Sequence, residues 1–237
     1  MKNTIYHIAM TDLLWMLLPV GIVLLLYIKW TQDRVTVPYA LIRMLIQLLL
    51  IGYLLTYIFT SDSSLLVVLI LSVMLTAASI IALRPVAHRG KGIYLRSFYA
   101  IATGGLFTLV MVTFGVLKLD PWYEPRFLIP LAGMIFANAM NAVSIAAERL
   151  ESELAKDIPF TEARAQTYKA ALIPIINSLF AVGLVSLPGM MTGQILSGVD
   201  PLIAVRYQMM VMLMILGSAG ISVAVYLVLI QKIQNQT

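Results

Sequence analysis

The stretch "SLPGMMTGQILSGVDPLIAVRYQ", Ser186 to Gln208, lies between two long apolar runs and is rich in glycine and proline. It holds one acid, Asp200, and one base, Arg206. Met190, Met191, Ile195 and Leu196 make much of it shun water. Non-helical backbone at membrane depth is tolerated only where protein buries it or a wet cavity meets it. Residues 188–202 are therefore expected to form a Gly/Pro-rich external or re-entrant segment. In the re-entrant form, Pro188 to Asp200 turns back toward the bilayer near an external gate, with Gln194 and Asp200 as polar handles. A short amphipathic helix sealing the outer surface fits the same pattern.

Working outward, composition sets the class. The chain has 237 residues, 61% hydrophobic and 11% charged, with a mean hydropathy of +0.94. Soluble domains carry about 25% charged residues. A bilayer must be the solvent for so apolar a chain. Crossing ~30 Å of hydrocarbon takes about 20 helical residues. Seven runs approach or reach that length: 11–29, 38–59, 65–83, 97–117, 127–147, 171–187 and 203–230. Lipid cannot satisfy free backbone groups, so each run is expected to be helical. The expected fold is an all-α, polytopic membrane protein, one transmembrane domain over 1–237. The first run lacks a small-residue cleavage site after it and reads as a retained span. The absence of cysteine excludes disulfides, thiolate metal sites and thiol nucleophiles.

The charge of +5 is distributed as a topology signal, not as a nucleic-acid footprint. Twelve of the sixteen basic residues fall on one side of the expected spans, among them Arg34, Arg43, Arg84, Arg96, Arg149, Arg164 and Lys169. Cytoplasmic segments carry such an excess. The expected arrangement in the plasma (inner) membrane has the N-terminus outside and the C-terminus in the cytoplasm.

The largest cytoplasmic feature is "ERLESELAKDIPFTEARAQTYKA", Glu148 to Ala170. Its first part continues the fifth span, where Arg149 and Glu153, four apart, can pair on the helix surface. Pro159 interrupts and then opens a new helix, as proline does in a first turn. At 100° per residue Phe160, Arg164, Thr167, Tyr168 and Ala171 share one side; Glu162, Gln166 and Lys169 share another. Two readings stay open: a helix lying in the membrane interface, or a knob whose aromatics a soluble partner grips.

"ERLESELAKDIPFTEARAQTYKAALIPIINSL" resembles the cytoplasmic coupling segment of ABC-transporter permeases: an acidic, Ala-rich stretch, then Pro159 and Phe160, then Ile173 and Pro174 entering the next span. Lys156 stands where importers often carry glycine. Together with "PLAGMIFANAMNAVSIAAERL" (Pro130 to Leu150) and Ser186 to Gln208, the chain resembles the FetB-type permeases, a small family tied to iron export in bacteria, with plant relatives linked to aluminium tolerance. The resemblance implies a permease subunit that pairs with a second copy of itself and with two soluble ABC ATPase subunits. It implies that Pro159, Phe160, Thr161, Glu162, Arg164, Tyr168 and Lys169 dock the ATPase. ATP and Mg would sit on that partner, and the cargo would be iron. No G-x-x-x-x-G-K-[ST] occurs in this chain, and "RGKGIY" at Arg89 lacks the upstream Gly and the Ser/Thr for Mg.

Within the fifth span Asn138, Asn141, Ser144 and Glu148 fall within an arc of about 120°. Amides inside hydrocarbon need hydrogen bonds or water. The stripe reads either as pathway lining or as interhelical bonding, with Gly133, Ala137 and Ala139 permitting close approach. Arg43 and Gln47, four apart in the second span, and Arg206 are candidates for structural or pathway roles; Arg43 can snorkel to the cytoplasmic surface. No His, Cys and carboxylate cluster has metal-ligand spacing. His7 and His88 lie on opposite sides; Asp120, Glu124 and Asp200 share the outer side. Most of the fourteen methionines read as packing. A soft-metal path through Met134, Met140, Met190 and Met191 is the minor reading. An intramembrane enzyme is disfavoured, because no His or Cys is embedded and no acid pair lies mid-membrane. The leading expectation is an alternating-access exporter subunit; the alternative is a self-contained channel or secondary transporter.

Overall fold

The computed structural model describes residues 9, 11–60, 63–86 and 90–234, excepting the side chains of 91 and 232–234. The expectations resting on His7, His88 and Arg89 lie outside the described residues. Every regular element described is helical: α1 (Leu17–Thr31, preceded by a 3-10 turn, Asp12–Met16), α2 (Thr36–Ile58), α3 (Ser64–Ala82), α4 (Lys91–Val110), α5 (Pro125–Leu154), α6 (Phe160–Ala181), α7 (Gly189–Leu196) and α8 (Pro201–Gln234). A π-helical turn, Met111–Val116, extends α4. Among the described residues, six helical stretches are long and apolar enough to cross a membrane: Asp12–Thr31, Thr36–Ile58, Ser64–Ala82, Gly92–Val116, Pro125–Leu154 and Pro201–Gln231. The all-α, multi-pass architecture is as expected from composition.

The sixth expected run, 171–187, differs. Its helix begins earlier, at Phe160, and stops at Ala181. Only about eleven residues of α6 are apolar, near 16 Å of rise, or half of a hydrocarbon core. A turn and α7 then follow before α8 begins. The helix opened by Pro159 runs on into this span, as expected. It forms the first turns of α6, and Pro174 lies inside α6 without ending it.

The chain divides into two compact units, 1–61 and 62–237. In the first, α1 closes on Gln32 in a left-handed conformation, φ 58°. Asp33 then starts α2: its Oδ1 accepts the Val35 and Thr36 N–H, both at 3.0 Å, while the Tyr27 hydroxyl donates to Oδ2 at 3.2 Å. Hydrogen bonding from Thr36, and then from Val35, lowers this carboxyl from 3.8 to about 2.

In the second unit α5 and α8 form the centre, flanked by α3, α4 and α6. Adjacent glycines let α4 approach two neighbours closely. A Cβ on Gly104 would overlap the Ser222 hydroxyl and stand 2.7 Å from the Ser218 carbonyl oxygen of α8. One on Gly105 would stand 2.7 Å from the Phe136 ring of α5. Small residues at such crossings gain dispersion contacts where no hydrophobic effect drives helices together. Ser97 adds a hydrogen bond from α4 to the Ser79 carbonyl of α3, at 3.1 Å.

Two outcomes follow from this packing. Gly104→Val should destabilise the detergent-solubilised protein by about 1–3 kcal/mol, the usual cost of overpacking, read as a lowered thermal midpoint; an unchanged midpoint contradicts the crossing. The Asp33 contacts stabilise the folded hairpin above pH ~4 and are lost as pH falls toward 2. Pepsin cleavage in the 31–36 connection should therefore rise between pH ~4 and 2 in the wild type and be raised and flat in Asp33→Asn.

Candidate functional site

The end of α6 determines the site. Val182, with extended backbone, leaves the helix, and Gly183 takes φ +83°. The N–H groups of Leu184, Val185 and Ser186 all turn back to the Ala181 carbonyl, and the Gly183 N–H donates to the Ser186 carbonyl. This tight turn leads into α7, which packs against α8.

A groove of about 430 Å³ opens between α5, α6, the start of α7 and α8. Asn138 and Met134 line it from α5, Ser178 from α6, Ser186 and Met190 from the turn and α7, and Gln208 and Met212 from α8. Met212 is eleven residues from the start of α8, so the turn lies about 10–16 Å along that helix from its N-terminal end. Two lining residues each donate one hydrogen bond to backbone. Asn138 Nδ2 donates to the Met134 carbonyl at 2.8 Å, and the Ser178 hydroxyl donates to the Pro174 carbonyl at 2.9 Å. Gln208 is 5% exposed, and its Oε1 has no hydrogen-bond partner. An orphaned buried amide oxygen costs about 1–3 kcal/mol, so it marks a place where something else is expected to bind. The sequence reading passed over Gln208, although an amide within a methionine-rich helix is the signal that identifies it.

The polar stripe of α5 divides. Asn138 faces the groove, whereas Asn141 and Glu148 are exposed on the outer face and Ser144 is half-buried between them. Gln194 lies in α7, half-buried, with its Oε1 unpartnered. Asp200 is exposed and caps α8, accepting the Leu202 N–H at 2.8 Å. Arg206 lines a separate cavity between α8 and the end of α4. In the 1–61 unit, Arg43 is half-exposed and Gln47 exposed on α2.

At the other end of α6, the side expected to carry exposed aromatics is turned largely inward. Thr167 and Ala171 are buried, Arg164 Nη1 donates to Gln231 Oε1 of α8 at 3.2 Å, and a Cβ on Gly220 would stand 3.3 Å from the Tyr168 hydroxyl. Phe160 is half-buried and Tyr168 keeps an exposed edge. Pro159, Thr161, Glu162 and Lys169 are exposed, and Gln166 Nε2 donates to Glu162 at 3.1 Å. The Arg164–Gln231 bond places the start of α6 and the end of α8 at one end of the bundle.

Nearby, Arg149 and Glu153 pair at 2.5 Å, as their spacing predicts, but not on the surface. The Glu153 side chain is only 2% exposed, and Lys156 joins it at 3.4 Å. Burial requires that both cations stay in place. Among the described residues no three His, Cys, Asp or Glu gather into a metal site.

The family described as "Uncharacterised protein family (UPF0014)" matches residues 10–233. The chain belongs to this family. It is 33% identical to "UPF0014 membrane protein slr1647" of Synechocystis, over 91% of this chain and 90% of that one. It is 36% identical to "Probable iron export permease protein FetB" of Escherichia coli, over 78% and 76%. With "Protein ALUMINUM SENSITIVE 3" of Arabidopsis thaliana the identity is 31%, over 78% and 71%. No solved structure matches the chain. It is a multi-pass membrane protein of a family that includes permeases, as the resemblance in its motifs implied.

Removing one partner of a buried ion pair costs about 3–5 kcal/mol. Because Arg149 stays 41% exposed, Glu153→Ala should cost about 3 kcal/mol, the low end of that range. Thermal unfolding in detergent checks this, and Glu153→Gln should fall between the two.

Proposed function

We propose that this chain is the membrane-spanning subunit of an ATP-driven exporter, moving metal ions, iron among them, by alternating access. ATP and Mg are bound by a separate soluble ABC ATPase, present in two copies. The observation that carries this reading is the continuity of α6. One helix runs from Phe160, at the end of the bundle where α8 finishes, to Ala181, beside the groove. A push on its first turns is transmitted about 33 Å along a single helix, whose hydrogen-bond ladder is interrupted at Pro174. The relative named as an iron export permease supplies the direction and the cargo.

In this reading the charge bias puts the Phe160 end in the cytoplasm of the plasma membrane and the start of α8 outside. The ATPase meets Pro159, Phe160, Thr161, Glu162 and Lys169, while Arg164 and Tyr168 tie the lever to α8. A second copy of this chain completes the route. Leu184 and Val185 are more than four-fifths exposed on the non-helical turn. Backbone of that kind needs protein or water rather than lipid around it. The exposed Asn141 and Glu148 on α5 make a similar demand. A self-contained channel needs neither the ATPase nor the lever and is the reading to be displaced.

The test is co-purification with a soluble ABC ATPase followed by ATP-dependent metal flux in proteoliposomes. Phe160→Asp should abolish both association and flux. Arg164→Ala should keep the ATPase bound and hydrolysing while flux falls at least about tenfold, since only the link to α8 is cut. Flux without ATP, or wild-type flux in Phe160→Asp, overturns the proposal.

A further inference from the structure

We infer that the groove around Gln208 is a binding site for a soft, singly charged metal cation, of the Cu(I) or Ag(I) class. The inference rests on the groove being part of the transport route and adds the chemistry of what it holds. Three methionines line the groove from three different helices: Met134 from α5, Met190 from α7 and Met212 from α8. Methionine packing alone needs no such convergence on an open, partly polar space. The oxygens that join them are acceptors. The Ser178 hydroxyl proton and one N–H of the Asn138 amide are engaged by backbone carbonyls, and both side-chain oxygens keep their lone pairs. Gln208, nine-tenths buried and more, carries an amide oxygen with no partner.

The groove contains no carboxylate and no histidine. Hard divalent ions take several oxygen ligands, carboxylates prominent among them, and a neutral lining does not replace their hydration shell. Thioethers select soft ions. A single positive charge in a neutral, apolar-walled groove also costs far less desolvation than two. Two further methionines, Met191 and Met209, line the adjoining cavity that shares Gln208 and Met212. A released ion would therefore meet more sulfur on leaving.

The experiment uses the purified full chain in nanodiscs, without the ATPase, titrated with Ag(I) in chloride-free buffer. Saturable binding of roughly one Ag(I) per chain is expected, with sulfur in the first coordination shell by X-ray absorption. Met134→Leu/Met190→Leu/Met212→Leu conserves volume and should weaken binding at least about tenfold; Gln208→Leu alone should weaken it less. Should the triple variant fail to give a monodisperse elution profile, Met190→Leu and Gln208→Leu carry the comparison. Absence of saturable binding, binding unchanged in these variants, or equal competition by Ca(II) or Mg(II) overturns the inference. Because no ATPase is present, failure here leaves the lever untouched, and failure of the ATPase docking leaves this binding untouched.

Discussion

The structure of the 62–237 unit depends on how one helix ends. Backbone N–H and C=O groups cannot be left bare in hydrocarbon, yet α6 stops at Ala181 with 19 residues still to run before α8 begins. The carbonyl of Ala181 resolves part of this conflict by accepting from Leu184, Val185 and Ser186 together, with Gly183 supplying the positive φ that the tight turn needs. Without that closure the chain could not turn beside α8, and the groove bounded by Asn138, Ser178 and Gln208 would not exist.

The closure makes sense only against a rigid neighbour. α8 runs for 34 residues, about 51 Å, and serves as the rail for α4, α5, α6 and α7. Gly104 fixes how near α4 can come, and Arg164 fixes α6 at the opposite end from the groove. A displacement of the first turns of α6 therefore has few places to go other than along the helix, toward Ser178 and the turn. The buried Glu153, clamped between Arg149 and Lys156, stiffens the end of α5 just before α6 begins.

Much of this was legible in the sequence. Apolar runs of about 20 residues in a chain with few charges can only be membrane helices, and the positions of Pro125, Pro159 and Pro201 mark three helix starts. Ser186 to Gln208 announced an unusual connection through its oily glycine-rich character. What periodicity could not supply was depth and direction. A continuous apolar run looks the same whether its helix stops at Ala181 or continues to Leu187. A helical wheel shows that Arg164, Thr167 and Tyr168 share a side, but not that α8 occupies it. The stripe from Asn138 to Glu148 spans an arc wide enough to straddle two environments, and only neighbouring helices decide which residue meets which. Gln208 carries its signal in the sequence, as an amide in a methionine-rich run, but the groove that gives it a role does not show there.

The central claim is that α6 carries the chain from the cytoplasmic side to a turn beside α8 whose far end opens outside. A chain with no cysteine allows this to be measured directly, by membrane-impermeant maleimide labelling of single-cysteine variants in intact cells and in inside-out vesicles. The account predicts that Glu162→Cys is labelled only in inside-out vesicles and Asp200→Cys only in intact cells. Labelling of Glu162→Cys in intact cells would contradict it.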